Sequence, residues 1–134
     1  MSQPQNPTYS KSLIWIGRFI SALPVLMLLM SGVMKFNLPA DAAENMEKVM
    51  GWKPPMAPGL GIVEIVSTLL YVIPQTAVLG AILLTGYLGG AVATHVRVAD
   101  WLHMPIPLVA GILVWVGLYL RDARLRDLVP LRKI

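Results

Sequence analysis

Four apolar stretches, each close to the length that crosses a lipid bilayer, leave this chain few ways to fold. They run over residues 13–33, 59–73, 77–98 and 105–120. A helix rises about 1.5 Å per residue, so roughly twenty apolar residues cross a hydrocarbon core about 30 Å thick. The second and fourth stretches fall a little short, which blurs their ends without changing the count. Only 13% of the 134 residues are charged and 56% are hydrophobic, with a mean hydropathy of +0.66. Soluble domains carry about a quarter charged residues, so lipid is the solvent that suits this surface. The expected fold class is all-α: a four-helix transmembrane bundle with a short interfacial helix between the first and second spans.

The connections define the path. Residues 1–12 are polar and read as a disordered cytoplasmic tail, 13–120 as the four-span membrane domain, and 121–134 as a basic cytoplasmic tail. The first apolar segment contains Arg18 and lacks a small-residue cleavage site, so it reads as a retained span and not a signal peptide. Pro24 inside it predicts a kink. In the connection 36–58, Asp41 and Glu44 form a helix start signal, and Ala42, Met46, Val49 and Met50 recur at helical spacing. That pattern predicts a short helix on the membrane surface, ended by Gly51, with Trp52 at headgroup level. Pro54, Pro55 and Pro58 follow as a rigid turn. Pro74 stops the second span, and Gln75 and Thr76 are too few to do anything but send the third span back antiparallel.

Lys11, Arg18, Arg121, Arg124, Arg126, Arg132 and Lys133 lie on the side that holds both termini. Lys35, Lys48, Lys53 and Arg97 lie on the other. The bias places both termini in the cytoplasm of a bacterial inner membrane. Arg18 is expected to bind lipid phosphate, and Trp15, Trp52, Trp101, Trp115 and Tyr119 read mainly as interfacial aromatics.

The net charge of +4 and pI near 9.7 do not indicate a nucleic-acid partner, because the basic residues cluster at span ends instead of forming a face. The absence of cysteine excludes dithiol redox chemistry, thiolate nucleophiles and Cys-ligated metals. His95 and His103 lack the carboxylate spacing of a metal site, so no metal is expected. No Ser-His-Asp set, phosphate loop, haem-binding histidine pair or nucleotide motif is visible. The third span is dense in small residues: Gly86, Gly89 and Gly90 are expected to serve helix packing, with Thr94 continuing the Gly86–Gly90 row. The partner is either a neighbour in the same bundle or a second copy, so homo-oligomerisation stays open.

Ionisable residues within the spans carry the functional signal. Glu64 lies inside the second span, and Thr68, Tyr71 and Gln75 follow at i+4, i+7 and i+11, one polar stripe that must point inward. A bare carboxylate at such depth costs about 2.5 kcal/mol or more and requires a cation or a proton. Antiparallel alternation puts Lys35, His95 and Arg97 at the outer end, where they are expected to join Glu64 in one charged cluster. His95 and Arg97 are about 200° apart round their helix and cannot both face one point. Lys35 and Arg97 have a second reading as end anchors. Glu64 is either structural glue or part of a ligand or proton site, together with Lys35, His95, Arg97, Tyr71, Thr68 and Thr94.

Three stretches, SGVMKF at 31–36, GIVEI at 61–65 and above all LGAILLTGYLGGAVATHVR at 79–97, resemble the DoxX-like family of small bacterial membrane proteins. The resemblance spans about residues 13–122. It implies a four-helix membrane bundle whose polar positions are Lys35, Glu64, Thr94, His95 and Arg97. It also implies links to quinol oxidation, thiosulfate–quinone chemistry or a membrane oxidoreductase partner, while the missing cysteines argue against a thiol-based role. The leading expectation is an accessory or ligand-binding subunit that holds a lipophile such as a quinone between its helices. The alternatives are a proton-coupled small transporter or channel, and a non-catalytic assembly factor.

Overall fold

The computed structural model describes residues 11–131. The expected tail at residues 1–10, and Arg132 and Lys133 among the orienting charges, lie outside the described residues. Six α-helices follow in order: α1 (Lys11–Met34), α2 (Ala40–Lys48), α3 (Ala57–Val72), α4 (Ala77–Arg97), α5 (Pro105–Arg121) and α6 (Ala123–Arg126). The described residues contain no strand. Three segments, Lys11–Met34, Pro54–Val72 and Pro74–Arg97, are long and apolar enough to cross a membrane. The fourth, α5, has 17 residues and reaches about 25 Å at the helical rise.

Proline sets where the spans begin. Prolines occupy the first turns of α3 and α5 and of the 3-10 turns Pro54–Met56 and Pro74–Thr76 that lead into α3 and α4. The missing N–H has no intrahelical partner there, and the fixed φ suits the helix. Pro24 lies inside α1, which continues past it to Met34, and its ring is buried.

The four long helices form a closed square. α1 packs on α3 and α5, α4 packs on the same two, and the diagonal helices do not approach closely at the backbone, α3 and α5 being bridged by the side chains of Tyr71 and Arg121. Every neighbour is therefore antiparallel. Glycine sets how close the seams come. A Cβ on Gly17 would lie 2.9 Å from the Gly117 carbonyl, closing α1 on α5. A Cβ on Gly61 would lie 2.7 Å from the Gly32 carbonyl, closing α1 on α3. On the α3–α4 seam, Gly80 rests on the backbone of Tyr71. Helices in lipid gain cohesion from such close approach because no hydrophobic force draws them together.

The glycines singled out by the sequence behave otherwise. Beyond the adjoining backbone of α4 itself, no atom of the described residues comes within 4 Å of a Cβ placed on Gly86, Gly89 or Gly90. The close intramolecular seams use Gly17, Gly32, Gly61, Gly80 and Gly117.

The bundle is inverted relative to a soluble one. Phe19, Leu26 and Met30 are exposed, while Glu64, Ser67, Thr68 and Ser21 are buried beside the core of Leu28, Tyr71, Ala81, Leu84, Leu88, Val114 and Leu118. Outward apolar surface needs lipid, and inward polar groups need one another.

α2 starts after Pro39, with no side-chain cap, so Asp41 lies in the first turn and is not the capping residue expected from the sequence. Its end matches expectation in kind: Gly51 has φ +75°, and Trp52 N–H donates to the Met46 carbonyl at 2.9 Å. The bond reaches six residues back along the chain, and the turn that allows it puts glycine in the left-handed position, where it carries no Cβ penalty. Beyond α5, the basic segment folds back far enough to bury Leu125 of α6 against the core.

Candidate functional site

Glu64 lies seven residues into α3, about 10 Å along the axis, and is 1% exposed. Its Oε2 accepts from Lys35 Nζ at 2.6 Å and from the Tyr87 hydroxyl at 3.0 Å. Lys35 lies just past the last turn of α1, and its ammonium also donates to Ser31 Oγ at 2.7 Å. The same ammonium stands 5.9 Å from the centre of the Tyr87 ring. Three helices thus meet in one network, with a net-neutral ion pair whose acid is enclosed and whose base is partly open. A paired, hydrogen-bonded carboxylate is the form in which a buried charge is tolerated.

The open side of that network faces a cleft of about 390 Å³. Ala42, Asn45, Met46 and Met50 line it from α2 and its terminus, Leu60 from α3, and Gly86, Tyr87, Gly90, Ala91, Thr94 and His95 from α4, with Lys35 and Trp52 completing the wall. Gly86 and Gly90 hollow out this wall, which explains their open surroundings. The volume falls in the range of small-molecule sites, and so does the chemistry, an apolar lining with a few polar groups. Lys35 has three protons, two on short bonds and the third facing the Ser31 carbonyl at 3.4 Å. That third proton is the one most readily turned to a ligand oxygen.

α2 covers the cleft from above while burying none of its own residues. Two side-chain tethers hold this cover. Trp52 Nε1 donates to Thr94 Oγ1 at 3.4 Å, and Arg97 Nη2 donates to the Met50 carbonyl. An element with so little burial opens at low cost.

Not every predicted site residue reaches this place. Thr94 and His95 line the cleft with Lys35, and Glu64 supports Lys35 from beneath. Arg97 does not join Glu64: it caps the end of α2. Thr68 spends its hydroxyl on the Glu64 carbonyl of its own helix at 2.7 Å. Tyr71, fully buried, belongs to a separate knot, donating to the Val114 carbonyl at 2.7 Å and accepting from Ser21 at 2.9 Å. Gln75 leaves the stripe altogether, exposed in the 3-10 turn. Trp115 is more than an interfacial aromatic, since its Nε1 donates to Thr85 Oγ1 at 2.7 Å.

His95 turns to the loop instead of the ion pair. Asp100 Oδ2 takes His95 Nδ1 at 3.1 Å and His103 Nδ1 at 2.9 Å. The hydrogen bond from His103 is the largest influence holding the Asp100 carboxyl below its ordinary range. These contacts brace a turn in which Ala99 adopts φ 56°, a conformation costing a residue with a side chain about 1–2 kcal/mol. Among the described residues, no group of three His, Cys, Asp or Glu side chains is arranged to hold a metal.

Tyr87 was the residue the sequence reading missed, and the tight α3–α4 turn held the signal. Antiparallel helices joined so closely put residues equidistant from the turn at one level. Glu64 precedes Gln75 by eleven residues and Tyr87 follows it by twelve. By the same measure His95 and Arg97 lie about 12–15 Å beyond Glu64 along the axis, too far to pair with it.

These features define a class: a multi-pass helical membrane protein with a buried ion pair beneath a covered cleft. The chain belongs to the DoxX-like family, whose model matches residues 19–117. No curated protein and no solved structure matches it.

Proposed function

We propose that this protein binds a small lipophilic molecule of the quinone type in the cleft beneath α2, as an accessory subunit linked to redox or stress metabolism. One observation carries the proposal: the apolar cleft ends on a lysine held in place by an enclosed acid. Lys35 would donate to a ligand carbonyl, with Glu64 holding and aiming the ammonium, as a positioning residue. Met46 and Met50 would adapt to the ring, since unbranched thioether side chains repack readily and favour aromatic contacts. Trp52 and Thr94 would close over it. In this reading both termini lie in the cytoplasm of a bacterial inner membrane, and the cleft faces the outer leaflet, in keeping with the distribution of Lys and Arg.

The test uses Trp52 as a reporter, with a Trp52→Phe variant to isolate its signal. Titrating the detergent-solubilised protein with decylubiquinone should quench Trp52 fluorescence saturably. Lys35→Met should weaken binding about tenfold, the worth of one charge-assisted hydrogen bond. Gly90→Leu should abolish it by filling the cleft. Quenching that is unsaturable, or indifferent to Gly90→Leu in a folded protein, would overturn the proposal. Proton flux into liposomes that vanishes with Glu64→Gln would favour the transporter reading instead.

A further inference from the structure

At the end of the bundle opposite the cleft, α1, α5 and α6 bring three arginines to one cavity of about 290 Å³. Arg18, Arg121 and Arg124 line it, with Asp122 the acid beside them. The Asp122 carboxylate is engaged, accepting the Arg124 backbone N–H at 2.9 Å. None of the three guanidinium groups has a carboxylate within 4.0 Å among the described residues. Arg18 instead stacks 5.0 Å from the Trp15 ring.

Arg121 is the anchored member. Its Nη2 donates to the Tyr71 carbonyl at 2.8 Å, and its guanidinium carbon lies 4.6 Å from the Tyr71 ring centre. Its Nε, by contrast, is buried with no hydrogen-bond partner. An orphaned, charged donor inside a protein costs free energy that an anion would recover. The start of α4 reinforces the field: Ala77 borders the cavity, and this helix has no side-chain cap on its N-terminal amides. Ile14 and Leu118 add apolar surface to the lining.

The geometry points to a built site for the phosphate of an anionic phospholipid headgroup, held by Arg18, Arg121 and Arg124. A phosphate in the cavity meets the guanidinium of Arg121, and Arg18 and Arg124 close on its remaining oxygens. Guanidinium forks match a tetrahedral oxyanion well. Ile14 and Leu118 meet the glyceryl and first acyl carbons. The net positive charge of the cluster disfavours a headgroup bearing its own cation, so the site selects anionic over zwitterionic lipid.

Native mass spectrometry of the full chain, released from detergent, tests this with phosphatidylglycerol and phosphatidylcholine of equal acyl chains. One phosphatidylglycerol should bind saturably and at least tenfold more tightly than phosphatidylcholine. Arg18→Gln and Arg124→Gln, both at exposed positions, should each weaken it about fivefold, from roughly 1 kcal/mol per basic residue. Lys48→Gln, at the far end, should change nothing. Equal binding of the two lipids, or an equal loss with Lys48→Gln, would reduce the site to general surface charge and overturn it. Displacement of the lipid by millimolar inorganic phosphate would show that a soluble phosphate is the ligand, and would overturn the lipid assignment.

Discussion

Lys35 and Glu64 are 29 residues apart in sequence, yet Nζ and Oε2 meet at 2.6 Å across the α1–α3 seam. The Gly32–Gly61 contact one turn away lets the backbones approach closely enough for a short bond. The enclosed carboxylate and the partly open ammonium divide the work: one holds, the other faces the cleft.

Removing the base should therefore cost more than removing the pair. Lys35→Ala leaves the Glu64 carboxylate uncompensated and should destabilise the protein by about 3–5 kcal/mol. Lys35→Met combined with Glu64→Met should recover most of that loss. Unfolding in detergent, followed by helical circular dichroism across this double-mutant cycle, measures the coupling. Additive losses would mean that the two groups do not sense each other.

Glycines at the seams and at the cleft should respond in opposite ways. Gly117→Leu forces a side chain into Ser21, whose backbone N would lie 2.9 Å from the new Cβ. Overpacking of this kind costs about 1–3 kcal/mol or separates the helices. Gly90→Leu meets no atom of another described element within 4 Å of its Cβ and should leave the unfolding midpoint nearly unchanged. Comparing the two midpoints in one detergent checks the contrast.

Tyr71→Phe keeps the ring but removes the hydroxyl between Ser21 on α1 and the Val114 carbonyl on α5. A buried acceptor and a buried hydroxyl then lose their partner, at about 1–3 kcal/mol. Adding Ser21→Ala should restore part of the loss, because one orphaned group disappears. The same unfolding measurement reads it.

The Asp100 brace should be sensitive to acid. Its carboxyl titrates below the ordinary range when folded, chiefly through the His103 hydrogen bond. The stabilisation is complete above the unfolded carboxylate pKa and is lost as pH falls through the lower folded value. Hydrogen-exchange protection factors over residues 98–104, corrected for the intrinsic rate at each pH, should fall at acid pH, and Asp100→Asn should show lower protection already at neutral pH. Protection that stays flat with pH in the wild type would show that the brace does not depend on the charge.

Much of the framework was legible because it rests on period, length and proline. Apolar runs marked the spans, Pro54, Pro74 and Pro105 marked where they resume, and Gly51 marked the end of α2. Glu64 announced itself as a charge in the wrong solvent, and alternation brought Lys35, His95 and Arg97 to its end of the bundle without choosing among them. Arg97 and His95 were misplaced because "outer end" is too coarse a coordinate. Counting residues from the Pro74–Thr76 turn puts Tyr87 beside Glu64 and the other two well beyond it. Gly86 and Gly90 were ambiguous in principle, since small residues suit a packing seam and the wall of a cleft equally.

What the sequence by itself determined is the solvent and the path: apolar helices that require lipid, with turns too short for any but antiparallel neighbours. It also determined that Glu64 must find a cation, because the cost of a bare charge in hydrocarbon does not depend on the fold. Tertiary structure alone decided which groups meet. The closure of the square places Tyr87 on the carboxylate, Arg97 on the Met50 carbonyl and Arg121 on Tyr71. Those pairings depend on rotation about each helix axis, and glycine contacts between helices set that rotation, whereas hydropathy within a single helix does not.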